Sequence, residues 1–235
     1  ELSNIRYVGP HVLASAVAMD KVAAKLLCQA QGIDQCKWMW FSAYDLHSNH
    51  SAAIEKIESN FSYPVYVKPA NAGSSIGITK AHDTGTLVLA LHEALKHDDK
   101  VLIEEAVVGR EIECGVLGND NPIASLCGEV LPSVDFYDFD AKYNSDTPNT
   151  QVPAELDEET MNRIRETAIR CYKALFCQGL SRVDFFLKED GTLLLNEINT
   201  IPGFTSISMY AQMFAASGIP YSELLDKLIA YALEA

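Results

Sequence analysis

A chain of 235 residues is long enough for one large domain or two small ones with a sizeable core. Its 48% hydrophobic, 21% charged and 9% aromatic residues make an ordinary globular composition. Its 32 acids against 18 bases give a formal charge of -14. That charge argues against a main task of gripping nucleic-acid phosphates or an anionic membrane, yet leaves room for a local basic pocket that takes a nucleotide. No apolar run approaches the roughly 20 residues that span a bilayer, and no signal-peptide pattern opens the chain, so a soluble, cytoplasmic protein is expected.

The 6 cysteines, Cys28, Cys36, Cys114, Cys127, Cys171 and Cys177, show no C-x-x-C spacing. A zinc site, a redox pair or a disulfide framework is therefore not expected. The histidines have no ligand spacing either, and His92 and His97 read as surface residues.

In chain order, residues 1–10 read as the end of one element entering a turn. Residues 20–31 carry Val22, Leu26, Leu27 and Ala30 at helical spacing, with Gly32 as a stop. Residues 64–70 and 75–80 read as two strands joined by 71–74, and Asp83 caps an expected helix reaching about residue 96. Strands are expected over 101–107, 111–117 and 123–131. The stretch 132–153 is rich in Asp, Asn, Ser, Thr and Pro but keeps Phe136, Tyr137, Phe139 and Tyr143, too many aromatics for a linker, which favours a lid. Residues 157–176 form the clearest amphipathic helix. A hairpin of 180–187 and 192–200 follows, then short helical patterns over 207–216 and 221–235. No repeat is visible. The whole reads as an α+β chain of two lobes, 11–103 and 104–235, dividing near Glu104.

Two clusters carry chemistry. In the late hairpin, Glu197 and Asn199 lie two apart and so share a strand face. A two-residue turn at Asp190-Gly191 places Asp184 opposite Glu197 and Arg182 opposite Asn199, whereas a three-residue loop would break the pairing. Facing carboxylates repel unless a positive charge sits between them. Asp, Glu and Asn suit Mg²⁺ that also touches substrate phosphates, while a solvated face with Arg182 neutralising one acid fits the same pattern. The second cluster runs from Lys68 to Gly77. Gly73, Ser74, Ser75 and Gly77 would let backbone N–H groups fold over phosphate oxygens, with Lys68 as a point charge; a plain Gly-Ser turn looks much the same. No G-K-[ST] follows, so this is not a Walker A loop.

Together the clusters describe an ATP–Mg²⁺ site between two lobes. The segments KPANAGSSIGITK, VLIEE, GREIECGVLGND, FYDFDAKY, GLSRVDFF and NEINTIPGFTSIS, in this order, resemble the D-alanine–D-alanine ligase family of the ATP-grasp superfamily. The resemblance runs from about Tyr7 to the C-terminus. It implies the ATP-grasp fold, in which two α/β lobes with antiparallel sheets clasp ATP. It also implies an ADP-forming ligase that phosphorylates one D-alanine carboxylate and joins it to the amine of a second, for peptidoglycan.

By motif match, Asp184, Glu197 and Asn199 are the implied Mg²⁺ (or Mn²⁺) ligands, and Lys21 and Lys68 the phosphate-contacting lysines. Glu104, Glu105 and Val107 would line the adenine site, and Glu111 would hold the ribose. Arg182 and the backbone N–H of Gly203 would stabilise the oxyanion. Ser208 would bind the second substrate's carboxylate, with Met209 beside it. In the lid, Lys142 would reach the γ-phosphate and Tyr143 would meet Ser74, closing the site against water. The AKY segment favours D-alanine over D-lactate as second substrate and leaves D-serine open. Family members carry a further N-terminal domain, through which they are commonly dimeric and which supplies part of the first D-alanine site. Residues 1–10 resemble only the end of it, so ligation by this chain alone is an open expectation, with an ATP-binding fragment as the alternative.

Overall fold

The structure is a computed structural model that describes residues 1–131, 150–206 and 208–234. Two antiparallel sheets organise it. The first has the strand order β1 (Trp38–Ser42), β4 (Lys100–Glu105), β2 (Val65–Pro69), β3 (Thr79–Ala81). Its central strand β4 reads V-L-I because both faces are covered. Val101 and Ile103 join the core beneath α3 (Ala43–Ser48), α4 (His50–Asn60) and α5 (Thr84–Ala94), while Leu102 faces the other way, against Val22, Ala70 and Trp38.

The second sheet runs β7 (Thr150–Gln151), β6 (Ile123–Val130), β5 (Arg110–Leu117), β8 (Leu180–Leu187), β9 (Leu193–Asn199). One face is covered by α6 (Glu158–Ala174), whose Ile164, Ala168 and Cys171 meet Ile112, Cys114, Val183 and Phe185. The helices α1 (Val12–Met19) and α2 (Lys21–Ala30) join that same core through Ala14, Cys28 and Ile33. The other face receives α7 (Met209–Ala216) and α8 (Tyr221–Glu234), through Tyr210, Phe214, Leu224 and Leu228.

Helix starts follow capping chemistry. Asp20 accepts from the N–H groups of Val22 and Ala23 at 3.0 and 3.1 Å, Asp83 forms a capping box with Thr86, and Asp157 accepts from Thr160 at 2.8 Å. All 6 cysteines are free and buried. Among the described residues no helix is long and apolar enough to cross a membrane.

Several expectations need correcting. The expected strand over 75–80 begins only at Thr79, because Ser74, Ser75 and Gly77 have left-handed φ values of 51°, 61° and 71° that no strand tolerates. The boundary at 103/104 falls inside β4, and α2, placed in the first lobe, packs on the second sheet's core as well as against the first sheet. The helix expected over 207–216 starts two residues later, α7 beginning at Met209 and ending at Ala216.

The hairpin holds a compensation. Near its turn the partners are Leu187↔Leu193 and Phe185↔Leu195, an odd loop that by itself would turn the site residues apart. The register then shifts, with Asn196 as the extra residue, and Asp184↔Glu197 and Arg182↔Asn199 pair as expected.

Gly115 on β5 lies directly opposite Arg182 on β8. A Cβ there would sit 2.8 Å from a Phe214 ring carbon and 3.2 Å from Tyr210, so glycine lets α7 lie close on the sheet. Gly115→Ala is expected to destabilise the protein by about 1–3 kcal/mol, read as a lowered urea midpoint with an unchanged slope.

Candidate active site

The site is assembled from α2, β2 and β4 on one side and β5, β8 and β9 on the other. On the first side Glu104 is the centre. Its side chain is buried, and its two oxygens are taken separately: Lys25 Nζ lies 2.5 Å from Oε1, and Lys68 Nζ 2.5 Å from Oε2. The Cys36 thiol adds a contact to Oε1 at 3.5 Å. Burial alone would raise the Glu104 carboxyl, but Lys68 and Lys25 outweigh it and hold the group at about 2. Burial would likewise lower Lys68, and Glu104 reverses the sign, so its ammonium is held above the ordinary value. Burial together with the nearby Glu104 charge pushes the Cys36 thiol up to about 12, so it stays a neutral thiol.

Lys21, one helical turn before Lys25, donates its backbone N–H to the Ala70 carbonyl at 3.0 Å and its ammonium to the Ala72 carbonyl. Burial lowers its pKa despite the pull of Glu197. These bonds attach α2 to the glycine–serine loop. The loop's other anchor is Asp98, whose Oδ2 accepts from Asn71 N and Nδ2 at 2.7 and 2.8 Å. Between the anchors run two tight turns, Ile76 N–H to Gly73 O at 3.0 Å and Ile78 N–H to Ser75 O at 3.2 Å. Ser74 and Ser75 are exposed. Gly77 is required twice over: its φ is 71°, and a Cβ would fall 2.5 Å from a His97 ring carbon.

On the second side, Glu113 on β5, Asp184 on β8 and Glu197 on β9 form one cross-strand row. Arg182 neutralises it. Nε and Nη2 grip the two Asp184 oxygens at 2.7 Å each, and Nε lies 3.2 Å from Glu113 Oε2. Burial would lower the guanidinium's pKa, but Asp184, Glu113 and Glu197 raise it above its ordinary value. Asn199 accepts from Ile201 N–H at 3.2 Å through Oδ1, which keeps a second lone pair. Glu197 is the exposed member of the row, and its charge reaches Lys21 and Lys68 across the site.

Beyond β9, Gly203 sits next to Ser208, with 3.5 Å between its Cβ position and the Ser208 hydroxyl. That hydroxyl accepts from Thr205 N–H at 2.9 Å instead of capping α7. Met209 closes over Gly128 of β6. Glu105 turns away, accepting from Lys37 N–H at 2.7 Å; Val107 follows β4 half-buried, and Glu111 is exposed at the start of β5. Lys142 and Tyr143 lie outside the described residues.

The oxygen donors of Asp184, Glu197 and Asn199 are the hard kind that suit Mg²⁺ or Mn²⁺. No group of three or more His, Cys, Asp and Glu among the described residues is arranged for a metal, so the fit depends on the asparagine as third donor.

A model described as D-ala D-ala ligase C-terminus matches residues 27–230. The chain belongs to this family. It is 52% identical over 235 residues to a D-alanine--D-alanine ligase of Acetivibrio thermocellus, covering all of this chain and 62% of that protein. A second, from Ruminiclostridium cellulolyticum, is also 52% identical, with 63% of its length covered. The chain therefore spans a little under two thirds of the curated relatives it matches. Among solved structures, the VanG D-Ala:D-Ser ligase of Enterococcus faecalis aligns with TM-score 0.88 and 42% identity, over 98% of this chain and 66% of that one. The D-alanine-D-alanine ligase of Coxiella burnetii aligns with TM-score 0.84 and 36% identity, over 99% of this chain and 62% of that one. These neighbours carry the expected fold, α+β with two antiparallel sheets.

Lys25 and Glu113 were missed in the sequence. Both had a readable signal: Lys25 is one helical turn from Lys21, and Glu113 alternates with Glu111 on one strand face.

Two outcomes are expected. Arg182→Met leaves Glu113 and Asp184 facing each other without a cation and should cost about 3 kcal/mol in urea unfolding. Glu104 has a folded-state pKa of about 2 against an ordinary 4.5, so its contribution is full above pH 4.5 and is lost as pH falls from 4.5 toward 2. Across that window wild-type stability should drop by up to about 3 kcal/mol more than that of Glu104→Gln, measured by denaturant unfolding at pH 5 and pH 2.5.

Proposed function

We propose that this chain supplies the ATP-handling and ligating machinery of a D-alanine–D-alanine ligase. The observation that carries the reading is the meeting of two charge clusters from separate sheets. The cations Lys21 and Lys68 stand beside the glycine–serine loop, and Glu197 of the oxygen-donor row is close enough to act on both.

In this reading the loop N–H groups around Ser74 and Ser75, with Lys21 and Lys68, hold the phosphates. Glu104, Glu105 and Val107 border the base, and Glu111 meets the ribose. Asp184, Glu197 and Asn199 would hold Mg²⁺, which when bound neutralises charge on the phosphate oxygens. The γ-phosphoryl group passes to one D-alanine carboxylate, giving an acyl phosphate and ADP. The amine of a second D-alanine attacks that carbonyl, phosphate leaves, and the amine proton is released. Arg182 and the Gly203 N–H donate to the oxygen that gains charge in that step. Ser208 and the N–H groups at the start of α7 receive the second carboxylate, with Met209 alongside. The closing roles of Lys142 and Tyr143 against Ser74 belong to the same proposal.

A second reading replaces the second D-alanine by D-serine, favoured by the 42% identity and TM-score of 0.88 to a D-Ala:D-Ser ligase.

The test is dipeptide formation from ATP and Mg²⁺ with D-alanine alone, then with D-alanine plus D-serine, beside ADP binding by calorimetry. D-alanyl-D-alanine as the main product supports the first reading and a mixed dipeptide the second. ADP binding without product reduces the chain to an ATP-binding module, and no binding defeats both. Asp184→Asn and Glu197→Gln should each weaken Mg²⁺-dependent ADP binding by about tenfold, and unchanged affinity would remove the metal assignment.

A further inference from the structure

Glu104 has two lysine partners, and only one of them takes part in the chemistry above. The two are not equivalent. The Lys25 side chain is 5% exposed and the Lys68 side chain 15%. Lys25 is boxed in, its ammonium 6.0 Å from the Trp38 ring centroid and 3.8 Å from the Cys36 sulfur. Both neighbours are weak partners for an ammonium, so Glu104 is its principal partner. Lys68 stands where β2 runs into the glycine–serine loop, and it also lies within reach of Glu197's charge. Either carboxylate oxygen satisfies one lysine, and neither lysine blocks the other.

We propose that Lys25 is a positioning residue that keeps Glu104 compensated and oriented, so that Lys68 is free to move from Glu104 to the phosphates of a bound nucleotide. Were Lys68 the sole partner, its departure would leave a buried carboxylate without a cation, and the desolvation penalty would hold it in place. With Lys25 fixed on Oε1, Glu104 stays paired whichever way Lys68 points. The site then carries one resident cation and one exchangeable cation on a single acid. The inference rests on the nucleotide reading of the site.

The test is a double-mutant cycle on ADP affinity, by calorimetry with Mg²⁺, on wild type, Lys25→Met, Lys68→Met and the double variant, each first shown to be folded by circular dichroism. Lys25→Met and Lys68→Met should each weaken ADP binding about tenfold or more, while the double variant should be no more than about threefold weaker than Lys68→Met, because the lysine that Lys25 frees is already gone. Lys25→Arg should restore affinity to within about threefold of wild type, since it keeps the cation. An unchanged Lys25→Met, or losses that multiply in the double variant, would overturn the proposal. Should Lys25→Met not fold, Lys25→Gln completes the cycle with a polar chain of similar reach. Wild type that fails to bind ADP defeats the nucleotide reading itself, an outcome separate from binding that ignores Lys25.

Discussion

A carboxylate held between two lysines governs how the two sheets meet. Glu104 belongs to β4, the centre of the first sheet, while Lys25 belongs to α2, which shares its core with the second. Their ion pair is therefore a tie between the two sheets. It is reinforced at the helix start, where Asp20 caps α2 and pairs with Lys100 at the beginning of β4, and where Lys21 bonds Ala70 and Ala72. The apolar contact of Val22 with Ala70 and Leu102 fills the space between. So α2 is stitched to the first sheet along one side and packed on the second along the other. Burial of a charge is costly unless it is paired, which makes this junction specific: no apolar slip of α2 along β4 would keep Glu104 satisfied.

The second sheet repeats the logic with the signs exchanged. There a single cation, Arg182, serves two acids, Glu113 and Asp184, which pair with each other across β5 and β8 in the next row. Opposite Arg182 on β5 lies Gly115. That glycine admits the aromatic pair Tyr210 and Phe214, whose rings lie 4.9 Å apart, so α7 packs on the same sheet face that carries Arg182. Met209 opens that helix, with Ser208 just before it and Gly203 beside the Ser208 hydroxyl. Packing and electrostatics are thus not separable on this face.

Much of this was legible in the sequence where the signal was local. Asp83 announced its helix as a cap, apolar periodicity marked the helices that follow Asp20 and Asp157, and the alternation in SRVDFF and LNEINT put Arg182, Asp184, Glu197 and Asn199 on one face. The cross-strand pairing came out right through two departures that cancel, an odd turn and the Asn196 bulge, neither of which has a clear signature in residue type. Within residues 33–63, which went unread, α3 has only 6 residues, too few for a helical period to show, although Ser42 and Asp45 form its capping box. The chain division near Glu104 failed for a different reason. A linear boundary has no way to express a helix that precedes the first sheet in sequence yet packs on the second, and Lys25 was overlooked for the same reason, its partner being far along the chain.

The net charge of -14 makes the arrangement more than local detail. On the proposed function, an anionic nucleotide would approach a molecule whose average field repels it, so recognition would have to come from short range. At physiological ionic strength charges more than about 8 Å away across solvent are largely screened, whereas groups in the same buried site are not. Lys21, Lys68 and Arg182 are all substantially buried, and the last two are already held charged by the acids beside them. Those acids keep the cations charged in a medium that would otherwise neutralise or expel them, and at the same time offer oxygen donors for a divalent ion. A site built of cations alone would lose charge on burial, and one built of acids alone would repel phosphate. Interleaving the two would make the proposed anion site physically tenable in an acidic protein.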